Sequence, residues 1–162
     1  MSSKSSDANS FSSQSSFSTP GGSRTEPYEE LVPFTPITQG KALLRQRISA
    51  LTPQGGTALY ATARRAFRVM SGLASTDRIN AVVLLTDGRN EYPPDTDVQS
   101  LYRQLAPEDT AKAVRFFPIA YGGDADLPTL QKMAEASRGA AYDASDPASI
   151  DKVFTEIGRA HV

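Results

Sequence analysis

Two short blocks place side-chain oxygens where an α/β protein can use them. Gly55-Gly56-Thr57-Ala58-Leu59-Tyr60 sets a hydroxyl at the start of a helix, and Thr86-Asp87-Gly88 sets a carboxylate directly after the apolar run Ala81-Val82-Val83-Leu84-Leu85. Open α/β sheets bind ligands beyond the carboxyl ends of their strands. Asp87 and Gly122-Gly123-Asp124 both fall at such ends. Each block also fits a plain structural role: Gly-Gly-Thr before a helix is good N-capping chemistry, and Asp-Gly is a turn former. Catalytic chemistry has little to work with. The one histidine is His161, in the tail, and there is no cysteine, which argues against a histidine triad, a histidine-rich zinc site, disulfides and thiolate sites. The chain has no Gly-x-Ser-x-Gly elbow, no Gly-x-x-x-x-Gly-Lys-Ser/Thr phosphate loop and no Gly-x-Gly-x-x-Gly after a strand. We therefore do not expect an enzyme.

The elements that must position these residues follow from apolar periodicity. Residues 31–35, Leu-Val-Pro-Phe-Thr, read as a short strand, and Pro33 suits a sheet edge. Residues 40–51 put Leu43, Leu44, Ile48 and Leu51 on one helical face. Pro53-Gln54-Gly55-Gly56 breaks that pattern, and a second helix over 57–73 carries Leu59, Ala63, Ala66, Phe67 and Met70. Residues 79–85 are apolar apart from Asn80, which predicts a strand covered on both faces, as in a parallel sheet. After a loop over 91–95 come a helix over 97–105 and a strand over 114–121. Asp126 caps a helix that reaches Ala136 and ends near Gly139. Residues 140–142 form a short edge strand, and Asp146-Pro147 opens a last helix with Ile150, Val153 and Phe154. Strands that alternate with helices in this way require right-handed crossovers and a three-layer α/β sandwich.

Composition sets the limits. The chain has 162 residues, room for one domain. Eleven of its first 23 residues are Ser, so residues 1–26 are expected to be a disordered leader, and 27–155 the folded domain. The formal net charge is −1 and no basic cluster stands out, which argues against nucleic acid as a partner. No apolar run approaches the roughly 20 residues of a membrane span, and the N-terminus has no signal-peptide core.

The order of segments resembles the C-terminal two-thirds of a bacterial von Willebrand factor type A (vWA) domain. The likeness rests on Leu-Val-Pro-Phe-Thr-Pro, Pro-x-Gly-Gly-Thr-Ala-Leu-Tyr, Val-Val-Leu-Leu-Thr-Asp-Gly, Phe-Pro-Ile-Ala-Tyr-Gly and Asp-Pro-Ala-Ser-Ile-Asp-Lys-Val-Phe, spread over about residues 31–155. It implies a Rossmann-like three-layer sandwich with a mostly parallel central sheet. It also implies a metal-ion-dependent adhesion site (MIDAS), in which Mg²⁺ or Mn²⁺ is held by side-chain oxygens and waters and an acidic group on a protein partner completes the shell. Mg²⁺ favours hard oxygen ligands and keeps several waters, which suits such a site. By this resemblance Thr57 offers its hydroxyl to the ion and Asp87 holds a coordinated water and balances charge. Gly55 and Gly56 bring the loop backbone close, and Gly88 permits the sharp exit after Asp87. Tyr60, Arg89, Asn90 and Glu91 would then rim the partner surface, or else be ordinary solvated residues. Asp124 and Asp126 read as loop and cap residues, and Arg64, Arg65 and Arg68 as a solvated helix face.

The family's third ligand segment, Asp-x-Ser-x-Ser at the end of a buried strand, is not in this sequence. Asp7-Ala8-Asn9-Ser10-Phe11-Ser12 has the wrong residues at the Ser positions and no apolar strand before it. Two oxygen side chains alone should bind Mg²⁺ weakly. The missing segment also carries two strands that lie between the 31–35 and 79–85 strands. The sheet is thus expected to lack its first strands, with 79–85 left as an exposed apolar edge or the 31–35 strand displaced. Residues 156–162, Glu-Ile-Gly-Arg-Ala-His-Val, match the in-frame translation of a common sequencing adapter and are expected to lie outside the domain. The leading functional expectation is a protein-binding vWA module with a MIDAS-type site, here incomplete. A metal-independent assembly module and a chelatase-type partner of an ATPase are the alternatives. Bacterial versions often sit outside the cytoplasm, and nothing in the sequence fixes a compartment.

Overall fold

The computed structural model describes residues 26–52 and 56–159. The expected leader, apart from Glu26, lies outside the described residues, as do Gly55 and the last three residues of the tail. The chain divides into two units, Met1–Gly55 and Gly56–Val162. In the first unit the described residues hold one helix, α1 (Ile37–Ser49), three residues earlier at its start than apolar spacing predicted. Residues 31–35 form no strand. Their bonding is local, with the Thr35 hydroxyl donating to the Pro33 carbonyl at 2.8 Å. A strand needs a neighbour to satisfy its ladder, and the expected neighbours are not in the sequence.

The second unit holds α2 (Leu59–Leu73), β1 (Asn80–Thr86), α3 (Val98–Leu105), β2 (Val114–Tyr121), α4 (Leu127–Ala136), β3 (Tyr142–Ala144) and α5 (Ile150–Arg159). The strands form one sheet in the order β1-β2-β3, parallel throughout. β1 runs beside β2 from Asn80 opposite Val114 to Thr86 opposite Ala120, so both strands end at the same level.

Side chains alternate between the faces of a strand, and here that alternation separates two cores. The even-numbered Val82, Leu84, Val114, Phe116 and Ala120 meet Leu59 and Ala63 of α2, Leu101 and Leu105 of α3, and Leu130 and Met133 of α4. Each Leu or Phe fully buried there contributes roughly 1.5–3 kcal/mol. On the opposite face Ile119 joins Ala144 and Val153, with Tyr142, Ile150 and Ile157 at the margin. The layers are therefore α2/α3/α4, sheet, and α5. The expected three-layer α/β class is the observed one.

Two local expectations change. Strand β1 is not covered on both faces: Leu84 is 8 % exposed, but Val83 is 47 % and Leu85 55 % exposed. The continuous apolar run describes a strand made for two covered faces, and among the described residues it lies at the sheet edge with one, the exposed apolar edge that the missing first strands led us to expect. Helix α5 continues past Phe154 to Arg159, and Ile157 packs beside the second core, so part of the 156–162 segment is helical. Among the described residues no helix is long and apolar enough to cross a membrane.

Candidate functional site

The carboxyl end of β1 is where the two sequence blocks meet. The strand ends at buried Thr86, whose hydroxyl oxygen accepts from the Gly88 N–H at 3.3 Å and turns the chain out of the sheet. Asp87 follows, exposed. Among the described residues its carboxylate has no hydrogen-bond partner. Gly88 then passes beneath Thr57: a Cβ on Gly88 would lie 3.2 Å from the Thr57 hydroxyl oxygen. The absence of a side chain lets the hydroxyl come down against the residue next to Asp87.

Thr57 is not the helix cap expected on local grounds. The N-cap of α2 is Ala58, with no side-chain capping bond, so the Thr57 hydroxyl is not spent on the helix end. Capping comes instead from a residue 30 positions away. The Asn90 side-chain oxygen accepts from the Tyr60 N–H at 3.2 Å, and its amide donates to the Asp95 carbonyl at 2.7 Å. One of the unpaired N–H groups in the first turn of α2 is thereby satisfied. Asn90 is thus a structural bridge between the loop after β1 and the start of α2.

Glu91 closes the other side. Its N–H donates to the Thr57 carbonyl at 2.8 Å, and its carboxylate accepts from the Thr57 N–H at 3.3 Å. That carboxylate lies over Gly56, where a Cβ would sit 2.8 Å from Oε2. The structure therefore brings Gly56, Thr57, Gly88, Asn90 and Glu91 together and sets Asp87 beside them. Arg89 is exposed on the same turn. Gly55 lies outside the described residues.

Arg64 departs from the solvated helix face foreseen for it. Its guanidinium is paired with Asp95 at 2.9 Å, both side chains only 18 % exposed. Arg65 and Arg68 are exposed as expected. The Arg64–Asp95 pair spans 31 residues and joins a helix to an irregular loop, so no periodicity in the sequence could have signalled it.

The carboxyl end of β2 is built differently. Asp124 is an exposed loop residue. Asp126 is the N-cap of α4, accepting from the Thr129 N–H at 3.3 Å and the Thr129 hydroxyl at 2.9 Å. Tyr60 stands between the two loops. Burial pushes its phenol above the ordinary value, with Tyr102 and then Asp126 adding to the rise and a Thr129 hydrogen bond opposing it. Burial raises Tyr102 as well.

The Thr57 hydroxyl and the Asp87 and Glu91 carboxylates are hard oxygen donors of the kind Mg²⁺ and Mn²⁺ prefer. They suit such an ion in donor chemistry, and three such groups would supply at most part of a six-coordinate shell. Among the described residues no group of three His, Cys, Asp or Glu side chains could hold a metal.

A family model described as the von Willebrand factor type A domain matches residues 31–143. A solved structure, a von Willebrand factor type A protein from Catenulispora acidiphila, is similar at 25% identity with a TM-score of 0.59, covering 74% of this chain and 26% of that one. The chain thus spans about a quarter of that protein's length. An uncharacterized membrane spanning protein from Vibrio fischeri gives a weaker likeness, at 14% identity and a TM-score of 0.43, over 74% of this chain and 66% of that one. No curated protein matches. With the family model spanning most of the chain, and with the open parallel sheet flanked by helices, the chain belongs to the von Willebrand factor type A domain family.

Proposed function

We propose that the chain is a protein-binding module whose contact face is the carboxyl end of β1. Domains of this family commonly mediate protein interactions and are usually non-catalytic. In this proposal Thr57 and Asp87 hold Mg²⁺ or Mn²⁺, and the partner contributes an acidic group. The observation that carries it is the placing of the Thr57 hydroxyl over the side-chain position of Gly88, next to Asp87, by a threonine left free of capping duty. A bound divalent ion would supply Lewis acidity toward the partner's carboxylate. The rest falls to the chain's own groups. Thr57 directs a neutral oxygen to the site, Asp87 supplies negative charge at the solvent side, and Arg89 and Tyr60 rim the face.

A second reading has its own observation. The Glu91 carboxylate already accepts from the Thr57 N–H and covers Gly56, so protein groups close the loop by themselves. On that reading the same face binds a partner without metal. Melting temperature decides between the two. Binding to the folded state alone stabilises by about 2.7 kcal/mol at 100 times Kd. The cation-dependent module should therefore melt higher in Mg²⁺ or Mn²⁺ than in chelator, and Thr57→Val and Asp87→Asn should erase the difference. Equal melting of the unaltered chain with and without the ions would leave the metal-free module.

A further inference from the structure

Residues 87–97, which carry Asp87, Arg89 and Glu91, have no regular secondary structure and connect β1 to α3. A loop of this length left to itself would lose entropy when a partner orders it. One side chain opposes that freedom from several directions. Arg64 projects from α2 and donates through Nε to Asp95 Oδ2 at 2.9 Å and through Nη2 to Asp95 Oδ1 at 3.5 Å. Nη2 also donates to the Asp97 carbonyl at 2.7 Å. Nη1 reaches Gln104 Oε1 at 2.9 Å and the Ser100 hydroxyl at 3.5 Å, both on α3. The planar guanidinium fork thus joins α2, the end of the loop and both the first and last turns of α3 in one place, which a lysine point charge has no geometry to do. Asp95 passes the constraint on, because its carbonyl accepts from Asn90, whose other end holds the Tyr60 N–H. From Asn90 the chain runs directly into Glu91 and its paired bonds to Thr57.

We propose that Arg64 is a positioning residue for the contact face. It holds the 87–97 loop in its binding-ready form before a partner arrives, and its loss would transfer the cost of ordering that loop to the binding step. The proposal rests on the reading of this face as a binding surface. Its structural half is testable apart from that reading.

The test uses amide hydrogen exchange on the full chain, with Arg64→Met and Arg64→Lys as variants. The Glu91 and Tyr60 amides report the loop. The amides paired between β1 and β2 report the body of the domain. Arg64→Met should speed exchange at Glu91 and Tyr60 about tenfold while the β1–β2 amides keep their rates, because the opening is local. Arg64→Lys, which keeps a charge for Asp95 but loses the fork, should fall between the two. Mn²⁺ affinity of Arg64→Met should drop by a factor similar to the change at Glu91. Unchanged loop amides, or loop and strand amides accelerated by one common factor in both variants, would overturn the positioning role. Absence of Mn²⁺ uptake by the unaltered chain would remove the cation from the face, and the amide rates would still decide what Arg64 does.

Discussion

The two loops at the carboxyl end of the sheet leave parallel strands at the same level, yet they are built in opposite ways. The loop after β1 is tied to a distant helix by bonds spanning 30 residues or more: Asn90 to Tyr60, Glu91 to Thr57 and Arg64 to Asp95. The loop after β2 is held by local bonds, Asp126 to Thr129 and the Leu127 N–H to the Ala125 carbonyl. Both loops lie where open α/β sheets bind ligands, so position at a strand end does not tell them apart. What distinguishes the first is that a second element fixes its geometry. That is the condition under which a recognition surface avoids much of the ordering cost of binding.

The comparison breaks most sharply at Asp95. Asp95→Ala should cost about 2 kcal/mol in urea unfolding, within the range for charged hydrogen bonds and below that for a fully buried pair, because both partners keep some exposure. Asn90→Ala follows, at about 1–2 kcal/mol, since it strips α2 of its remote cap and leaves the Asp95 carbonyl without its donor. Asp126→Ala should cost about 1 kcal/mol as a lost N-cap. Its effect should stay in α4, with the Glu91 amide exchanging as before; faster exchange there would show that the two loops are one unit. The smallest effect joins them through Tyr60 and Tyr102. Their raised phenol values mean that the folded state keeps both protons longer than the unfolded chain does. The stability they contribute is full below the ordinary phenol value near 10 and is lost as pH rises through the folded values. Unfolding measured between about pH 9 and about pH 11 should show that loss, and Tyr60→Phe should reduce it.

Much of the second unit was legible from sequence because its signals are local. The apolar runs of β1 and β2, the helix before β2 and the cap Asp126 are short-range patterns and appear where they were expected. The misses are long-range. Residues 31–35 have strand composition, but a strand is a pairing and no partner strand lies beside them among the described residues. The run over 79–85 carries apolar residues for two faces, and its place at an edge of the described sheet, with Val83 and Leu85 exposed, is one of the two outcomes expected from the missing strands. Thr57 had the chemistry of a cap and lost the role to Ala58 and Asn90. Arg64 sat among three arginines on one helix, and only the fold shows which of them turns inward. The pairing of the Thr57 and Asp87 blocks was legible from the family resemblance. The close placing of Thr57 over Gly88 is a property of the folded chain.

The central claim is that Thr57 and Asp87 form one cation-responsive face. Paramagnetic broadening by Mn²⁺, followed amide by amide in the full chain, tests it directly. The account predicts that Thr57, Asp87 and Gly88 broaden first and that Asp87→Asn abolishes the effect. Broadening that starts at Asp124 or Asp146, or that survives Asp87→Asn unchanged, would contradict it.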